Sequence, residues 1–330
     1  MDLILSFGEI LIRQQSLGNT FFDKSNNRLE IFPGGSEANV AASLAQMGDS
    51  VAYCSALPQN ALSDEIVEIL NDLGVHTKKA LRTGDRLGTY ILMSANGLSK
   101  GEVIYDRKYS SFSQLTIEDI DIDKFFEGVS WFHWTALTPA LNKEMADLTG
   151  VLLQEASNRN ITISVDLNYR NRLWQYGEEP IDIMPQLVTH CDVIMGNIWA
   201  ANKMLGTTVD ESLNRGTRQE TYLAAAQKSA TEIFEKYPKC KHVAYTFRFM
   251  DSPNHNLFYG TYHTPTQNVN SDVMETNEVI DRIGSGDAFM AGYIHGLVKN
   301  MSAQEIIDTA TGAGFQKLFV KGDFGNGKIN

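Results

Sequence analysis

The sequence predicts an α/β fold, a three-layer α/β/α sandwich whose central sheet is mainly parallel. Short apolar, β-prone runs alternate with helical segments along most of the chain, and this order is typical of doubly wound sheets. The chain has 330 residues, of which 43% are hydrophobic and 21% charged, so it can bury one large core and carry a smaller appended unit. Two segments that break the alternation predict that unit, a small β-sheet lid.

The predicted elements follow from the spacing of apolar, small and turn residues. Leu3–Phe7 is an apolar run of strand length, and Glu37–Met47 carries alanines that suit close helix packing. Asp64–Leu73 is amphipathic and precedes Gly74, a typical helix end. The remaining strands are predicted at Val51–Ser55, Trp131–Trp134, Ile161–Asp166, Val193–Met195 and His242–Phe247, and the remaining helices at Lys143–Asn158, Thr221–Tyr237 and Ala288–Val298.

The interrupting segments, about residues 10–34 and 86–115, are expected to form a lid subdomain within one domain that spans residues 1–330. The second segment contains β-prone runs at Thr89–Met93 and Glu102–Tyr105 with no helix between them. We expect the two segments to pair as an antiparallel flap beside the main sheet. Such a flap is either a lid that excludes water from a reaction or a plain edge hairpin, and the pattern alone leaves both open.

Charge and composition argue against several classes of function. The formal net charge is −12 and no block of Lys and Arg occurs, so we expect no nucleic-acid partner. No apolar run reaches the roughly 18 residues of a membrane span, and the first residues lack the layout of a signal peptide. Cys54, Cys191 and Cys240 are isolated and lack metal-ligand spacing. We therefore expect buried thiols in a soluble, cytoplasmic protein.

The stretch Asp281–Gly292 places a glycine-rich turn before a predicted helix. The backbone N–H groups of Gly284, Ser285 and Gly286 would form an anion site there, because unpaired N–H donors and the helix dipole favour negative charge. Asp287 in the first turn would act as a general base that takes a proton from a substrate hydroxyl, while the N–H groups hold a transferring phosphoryl group. By itself, the pattern also fits a helix start with a capping acid.

The same stretch closely resembles the C-terminal signature of the PfkB sugar kinases, D-T-x-G-A-G-D-x-F-x-x-G. The matching residues are Asp281, Gly284, Gly286, Asp287, Phe289 and Gly292. Ser285 replaces the usual Ala, and Arg282 replaces the usual Thr in a form that resembles the 2-keto-3-deoxygluconate kinases of this family. The resemblance implies a ribokinase-like fold, ATP and Mg²⁺ as cofactors, and a small sugar acid that receives the phosphate with Asp287 as catalytic base.

A second glycine turn opens a helix near the N-terminus and contains Gly34, Gly35 and Asn39. The two glycines let the backbone approach a ligand, and the Asn39 amide can donate to and accept from sugar hydroxyls. This turn resembles the family's G-G-x-x-x-N-x-A motif, which touches the sugar. Asp323 belongs to a Gly-Asp pair that resembles the family's terminal Gly-Asp, whose carboxylate meets a sugar hydroxyl. An acid in such a loop is also commonly only solvated.

Further strings resemble substrate motifs of the 2-keto-3-deoxygluconate kinases. Tyr90, Tyr105 and Arg107 fall in the predicted flap and look like the residues that bind the sugar acid. The Arg107 guanidinium suits a carboxylate, because it offers a forked pair of donors. Asn168 and Arg170 follow a predicted strand, at the end where α/β folds bind ligands. The resemblance implies that Asn168 lies near the phosphates and Arg170 near the sugar acid.

Two motifs on the nucleotide side depart from the family pattern. The Glu of N-x-x-E assists magnesium in the family, whereas here Asn197 is followed by Ala200 at that position. The first glycine of T-x-G-x-x-G approaches the ATP phosphates in the family, whereas here Thr246 is followed by Arg248. Asn197, Thr246 and Arg248 are the ATP-binding candidates on this side. We expect Arg248 to contact a phosphate, since a guanidinium offsets negative charge.

The resemblance therefore predicts an ATP-dependent kinase that phosphorylates 2-keto-3-deoxy-D-gluconate to 2-keto-3-deoxy-6-phosphogluconate. Composition and spacing alone support only a phosphate-handling α/β protein. The alternatives are another sugar kinase of this fold, such as a fructokinase, and a non-catalytic sugar-acid-binding homologue, which the missing Glu and glycine favour. Arg107 and Arg170 favour an acidic substrate, and the retention of Asp287 favours catalysis. An uncovered edge of the flap predicts a homo-oligomer formed through the lid.

Overall fold

The computed structural model of the chain describes residues 3–16, 21–22, 28–93 and 103–329. Within these residues the strands are β1 (Leu3–Phe7), β2 (Leu11–Ser16), β3 (Leu29–Gly34), β4 (Val51–Cys54), β5 (Ala56–Leu57), β6 (Leu81–Arg82), β7 (Gly88–Leu92), β8 (Val103–Asp106), β9 (Val129–Thr135), β10 (Thr162–Asp166), β11 (Val193–Gly196), β12 (His242–Phe249), β13 (Asn256–His263), β14 (Asn268–Asn270) and β15 (Met274–Thr276). The α-helices are α1 (Ser36–Gln46), α2 (Ala61–Asp72), α3 (Ile122–Phe126), α4 (Lys143–Asn158), α5 (Pro180–Val188), α6 (Ile198–Leu205), α7 (Gln219–Lys236), α8 (Ser285–Val298) and α9 (Ala303–Gln316). Short 3₁₀ helices cover Phe112–Gln114, Ile117–Asp119 and Lys317–Phe319.

The main sheet has the strand order β14-β13-β12-β11-β10-β9-β1-β4, and β15 also pairs with β13. The neighbours from β12 through to β4 are parallel. Helical crossovers between these strands return the chain to the same end of the sheet each time. Strands β13, β14 and β15 are antiparallel additions at one side. The predicted α/β fold with a mainly parallel sheet is confirmed.

Helices cover both faces of the main sheet. One apolar cluster packs side chains of α4, α5, α6 and α7 against sheet residues such as Phe132 and Val165. A second cluster packs α1, α2, α8 and α9 against the opposite face, with Ile4 and Tyr53 among the sheet residues. Burial of both faces explains why the parallel strands are continuous apolar runs rather than alternating ones.

A separate four-stranded sheet has the order β3-β2-β7-β8. The prediction of an antiparallel flap is wrong in one respect, because β2 and β7 pair in parallel from Leu11 with Gly88 to Gln15 with Leu92. The pairs β2–β3 and β7–β8 are antiparallel. The parallel pair arises because α1, β4 and α2 lie between the two hairpins along the chain, as a parallel connection requires. Residues 17–20, 23–27 and 94–102 of the predicted flap, including Glu102, lie outside the described residues.

The other predicted elements are present, with ends shifted by a few residues. The largest shifts are at two helix starts: the helix predicted from Asp64 begins at Ala61, and the helix predicted from Ala288 begins at Ser285 with Gly284 as its N-cap. Helices α3, α5, α6 and α9, strands β5 and β6, and the antiparallel strands β13 to β15 were not predicted from the sequence. All three cysteines are buried and free, as predicted. No helix in the described part of the chain is long and apolar enough to cross a membrane.

Candidate active site

A cavity of about 490 Å³ lies between the main sheet and the four-stranded sheet. The ends of β10, β11 and β12 and the start of α8 line one side, and β7 and β8 line the other. The predicted site residues that line the cavity are Gly35, Asn39, Tyr90, Tyr105, Arg107, Asn168, Arg170, Asn197, Thr246, Arg248, Gly284, Ser285, Gly286, Asp287 and Asp323. Gly34 lies behind this lining, against the Asp323 side chain. The residues chosen from distant motifs therefore meet at one place.

The start of α8 supplies backbone donors to the cavity. Gly284 has a positive φ of 84°, and a Cβ there would overlap the carbonyl oxygen of Asp323, so a glycine is required. The N–H of Ser285 donates to the Arg282 carbonyl oxygen at 3.2 Å. Helix geometry leaves the N–H groups of Gly286 and Asp287 without an intrahelical acceptor. An anion at this end of α8 would therefore bind chiefly to those two groups rather than to all three predicted residues.

The Asp287 carboxylate is held from two sides by α1. Ser36 Oγ donates to Asp287 Oδ1 at 2.6 Å, and Asn39 Nδ2 donates to Oδ2 at 2.7 Å. Asn168 Nδ2 donates in turn to Ser36 Oγ at 2.9 Å. Burial raises the pKa of Asp287 above its ordinary value, and the two hydrogen bonds and the charge of Arg170 oppose that rise. The carboxylate is thus oriented and poised to accept a proton.

Ser36 is a site residue that the sequence analysis did not select. It is the first residue of α1 and follows the two glycines of the N-terminal motif. Ser36 could have been selected from its position after the glycines, because a hydroxyl at a helix start can reach a ligand or a neighbouring acid. Asn39 was expected to bind sugar hydroxyls, but its amide nitrogen is already occupied by Asp287. Its carbonyl Oδ1 is buried without a hydrogen-bond partner.

Two further buried carboxyl groups interact electrostatically with Asp287, and the sequence analysis did not select them. Asp166 ends β10 and lines the cavity, and burial together with the charge of Asp287 raises its pKa to about 7. Glu37 lies in α1, where burial raises its pKa to about 7 although Thr135 Oγ1 donates to it at 2.6 Å. Because these carboxyl groups repel one another when charged, each favours the protonated form of its neighbours. Asp166 could have been selected because it ends a predicted strand, where α/β folds bind ligands. Glu37 could not, because glutamates are common in the first turn of helices.

The loop around Asp323 connects the two glycine motifs. The Asp323 carboxylate lies against Gly34, where a Cβ would overlap it, and its carbonyl oxygen lies against Gly284. Tyr90 Oη donates to Asp323 Oδ2 at 3.0 Å. Burial raises the pKa of Asp323 to about 6, and the charge of Arg13 opposes the rise. Asp323 is therefore a buried, bonded acid rather than a solvated one.

The predicted arginines at the sugar end differ in their surroundings. Arg107 is buried and its Nε donates to Glu9 Oε2 at 2.6 Å, so Glu9 offsets its charge. Arg170 is exposed at the cavity, and its Nη1 donates to the Tyr169 carbonyl oxygen at 3.0 Å. Glu9 was not selected from the sequence, because nothing in the pattern links it to Arg107. The positive charge available to a substrate carboxylate therefore comes largely from Arg170.

The predicted nucleotide end contains a positive group and two structural residues. Arg248 is exposed in the cavity and its Nη1 donates to Ser285 Oγ at 3.3 Å. Desolvation by the surrounding protein, together with the charges of Arg170 and Arg282, lowers the pKa of Arg248 to about 10. Arg248 therefore remains charged at neutral pH. Asn197 Oδ1 accepts from the N–H of Ala200 as the N-cap of α6.

Thr246 and Ala200 complete this end. Thr246 Oγ1 donates to the Gly196 carbonyl oxygen at 3.4 Å. Ala200 stands where the family pattern has Glu, and it is buried in the apolar cluster beneath α6. Ala200 therefore contributes an apolar contact to the core and supplies no carboxylate to a metal.

A magnesium ion at the cavity would bind to carboxylate oxygens of the lining. In the described part of the chain, no group of three or more His, Cys, Asp and Glu side chains is arranged to hold a metal. Mg²⁺ commonly keeps several waters and binds one or two carboxylates together with substrate phosphates, so a complete protein cage is not required. Asp166 fits this role, because it lines the cavity and carries unfavourable negative neighbours.

Comparison with known proteins supplies independent evidence on the family and the fold. The sequence profile of the pfkB family of carbohydrate kinases matches residues 1–236. The chain is 26% identical to 2-dehydro-3-deoxygalactonokinase of Haloferax volcanii over 311 residues, which are 94% of this chain and 88% of that one. It is 26% identical to 2-dehydro-3-deoxygluconokinase of Bacillus subtilis over 291 residues, 88% and 81% of the two chains. The crystal structure of 2-dehydro-3-deoxygluconokinase from Thermotoga maritima superposes with a TM-score of 0.89 at 34% identity and covers 99% of this chain and 96% of that one.

Proposed function

Because the chain belongs to the pfkB family of carbohydrate kinases and has their ribokinase-like fold, we propose that it is an ATP-dependent kinase of 2-keto-3-deoxy-D-gluconate that forms the 6-phosphate. The observation that carries the proposal is the setting of Asp287. This carboxylate lies in the first turn of α8, at the cavity, and accepts hydrogen bonds from Ser36 and Asn39. A base beside a helix N-terminus suits phosphoryl transfer to an alcohol, because the base accepts the hydroxyl proton while the N–H groups stabilise the phosphoryl charge.

The reaction assigns a task to each group around Asp287. The C6 hydroxyl oxygen forms a bond to the γ-phosphorus of ATP, and the bond from that phosphorus to the ADP oxygen breaks. Asp287 accepts the hydroxyl proton on a carboxylate oxygen, and the bonds from Ser36 and Asn39 fix the direction of its lone pairs. The N–H groups of Gly286 and Asp287 stabilise negative charge on the transferred group.

The nucleotide would lie at the end of the cavity that Arg248 and Thr246 line. Arg248 offsets phosphate charge where the family pattern has a glycine, and its bond to Ser285 directs it toward the start of α8. Mg²⁺, when bound, neutralises charge on the ATP phosphates, and Asp166 is the residue of this chain that would hold it, directly or through water. Asn168 acts through Ser36 rather than as a separate phosphate ligand.

Selection of a sugar acid over a neutral sugar is assigned to the arginines. Arg170 is exposed at the cavity and supplies the charge that a carboxylate needs. Arg107 lies on the opposite side, where Glu9 holds its Nε and fixes the plane of the guanidinium. Tyr90 and Tyr105 line the same side, and their rings stand 6.4 Å apart between centroids. Together these residues form a recognition surface for a small acid with several hydroxyl groups.

The four-stranded sheet would serve as the lid of this site. Cross-strand neighbours place Ile31, Gln14, Ile91 and Ile104 in one row on a single face of this sheet. Ile31 is 62% exposed and Ile104 is 44% exposed. A second copy of the chain would cover the three isoleucines of this row and the outer strand edges of the sheet, which makes the lid the proposed dimer contact. Sedimentation would then show a dimer for the parent and a monomer for Ile31→Lys; a monomeric parent would refute the contact. We also propose that the protein acts in the cytoplasm, where ATP is available.

A substrate panel tests the proposed function. ADP release is measured with 2-keto-3-deoxygluconate, with 2-keto-3-deoxygalactonate as its epimer, and with fructose as a neutral sugar. We expect kcat/KM for 2-keto-3-deoxygluconate to exceed that for fructose by at least about a hundredfold, since fructose has no carboxylate to form charge-assisted bonds with Arg170 and Arg107, each worth about 1.5–3 kcal/mol. Preference for fructose would refute the sugar-acid assignment, and preference for the epimer would correct the substrate. A chain that binds the acid without releasing ADP would be a non-catalytic homologue.

A further inference from the structure

Arg13 is a buried cation outside the cavity lining that no motif indicated. It lies in the middle of β2, and its side chain is 0% exposed. Its Nη2 lies 2.7 Å from Asp281 Oδ2, and its Nη1 donates to Gln15 Oε1 at 2.8 Å. The guanidinium carbon stands 4.4 Å from the centroid of the Phe32 ring on β3. A charge buried this completely is held by specific partners, and those partners indicate what it does.

Asp281, the first partner, shapes the turn that leads into α8. Its Oδ1 accepts from the N–H of Ile283 at 3.0 Å, and its Oδ2 accepts from the N–H of Gly322 at 3.1 Å. The carboxylate therefore binds the segment before Gly284, the C-terminal loop and Arg13 at once. A displacement of Asp281 would move the backbone that presents the anion-binding N–H groups.

Asp323, the second partner, stands on the other side of the guanidinium. Arg13 Nε lies 2.8 Å from Asp323 Oδ1, at an angle outside hydrogen-bond geometry, so charge attraction dominates this contact. The charged and titratable groups that face Asp323 are Arg13 from β2, Tyr90 from β7, Asp281 from the turn before α8, and Lys317 from the last 3₁₀ helix. The charges of the two cations and two carboxylates of this set balance, which lets Arg13, Lys317 and Asp323 be buried beside the partly buried Asp281.

We propose that Arg13 is a positioning residue for phosphoryl transfer, which fixes the turn before α8 and the Asp323 loop to the four-stranded sheet. The proposal rests on the proposed kinase function and adds a link between the sugar end of the site and the start of α8. At the sugar end, Tyr90 lies in β7 of the four-stranded sheet and Arg107 directly follows β8. The turn that Asp281 shapes leads into the first turn of α8, which carries the base and the anion site. Because Arg13 pairs with both Asp281 and Asp323, it holds these two parts of the site in a fixed position relative to each other. It acts through these acids, without contact to the reacting atoms.

The test compares Arg13→Met, Arg13→Lys and Asp281→Asn with the parent, and Arg159→Met serves as the control. Arg159 makes an exposed pair with Asp123 at 2.7 Å and lies outside the cavity lining, so its loss should change neither kcat nor the pKa of Asp323. The assay uses whichever sugar of the panel the parent phosphorylates fastest. Rejection of 2-keto-3-deoxygluconate by the parent would thus refute the proposed substrate and leave the test of Arg13 intact.

The kinetic result expected is a loss of kcat in folded protein. Misplacement of a catalytic turn by about 1 Å can cost about a hundredfold, so we expect Arg13→Met to lose at least about tenfold in kcat. Arg13→Lys keeps the charge without the forked donors and should fall between Arg13→Met and the parent. Parental kcat in a folded Arg13→Met protein would overturn the proposal.

The titration of Asp323 supplies a second readout, which needs no turnover. It is followed by NMR on protein with labelled aspartate, and the Asp323 signal is identified by its absence from Asp323→Asn. Loss of the Arg13 cation should raise the pKa of Asp323 above its value of about 6, and loss of the Asp281 anion should lower it. If Arg13→Met fails to fold, Asp281→Asn still cuts one link while its Oδ1 can accept from Ile283. Shifts in the same direction, or no shift, would overturn the proposal.

Discussion

Replacement of Asp287 by Asn tests the assignment of the base with minimal change in shape. The variant removes the proton acceptor and keeps one carbonyl oxygen for the bond from Ser36. Its new amide nitrogen would oppose Asn39 Nδ2, but the Asn39 amide can rotate to present Oδ1, which is buried without a partner. Both hydrogen bonds therefore survive in altered form. We expect kcat to fall by at least about a hundredfold, the usual size of a general-base contribution, with little change in the sugar KM.

The stability of the same variant separates loss of chemistry from loss of fold. Burial raises the pKa of Asp287 in the folded protein, so the folded state binds a proton more tightly than the unfolded state. As pH rises through the folded pKa, the parent therefore loses stability, by about 1.4 kcal/mol for each unit of the pKa rise. Asn carries no such charge. The melting temperature of Asp287→Asn should equal or exceed that of the parent at pH 8, and the difference should shrink at pH 5.

The assay is ADP release with saturating sugar acid, followed by thermal melts at both pH values on the same preparation. Asp272→Asn is the matched control, because Asp272 is exposed and lies outside the cavity lining. Its turnover should equal that of the parent. An Asp287→Asn enzyme with turnover near the parental value would remove Asp287 from the mechanism. A variant that is inactive only because it melts early would refute the account of its hydrogen bonds.

Arg170→Ala should raise the sugar-acid KM about 10- to 150-fold and the ATP KM far less, since a lost charge-assisted hydrogen bond costs about 1.5–3 kcal/mol; equal effects in both KM values would contradict its role. Arg107→Ala should also raise the sugar KM, and thermal melts should show a loss of about 3–5 kcal/mol because its buried glutamate partner is left unpaired. Arg248→Gly should weaken ATP binding in calorimetry, whereas parental affinity at every magnesium level would place the guanidinium in solvent. Gly284→Ala should destabilise the fold because φ is 84° and the new methyl meets backbone, whereas Gly286→Ala, which has open space, should melt like the parent.

The parts of the site that could be predicted from the sequence are the glycine turns and the residues at fixed spacing around a helix start. Gly284 and Asp287 stand at fixed spacing around a helix start, and Gly34 and Gly35 stand before another. Such spacing is local, so a linear pattern contains it. The parallel sheet was predictable for a similar reason, because strand and helix alternate along the chain.

The parts that could not be predicted depend on side chains that meet across the fold. Arg13 and Asp281 are 268 residues apart in sequence, and Glu9 and Arg107 are 98 apart. Each looks like an ordinary polar residue until the sheets bring the pairs together. The parallel pairing of β2 with β7 is of the same kind, since strand composition carries no direction of pairing.

Product analysis by ³¹P NMR after incubation with ATP, Mg²⁺ and 2-keto-3-deoxygluconate tests the central claim most directly. The account predicts one new phosphomonoester signal, coupled to the C6 protons, which grows in step with ADP and does not grow with Asp287→Asn. ADP that forms at the same rate without the sugar acid, with inorganic phosphate as the only new signal, would contradict it.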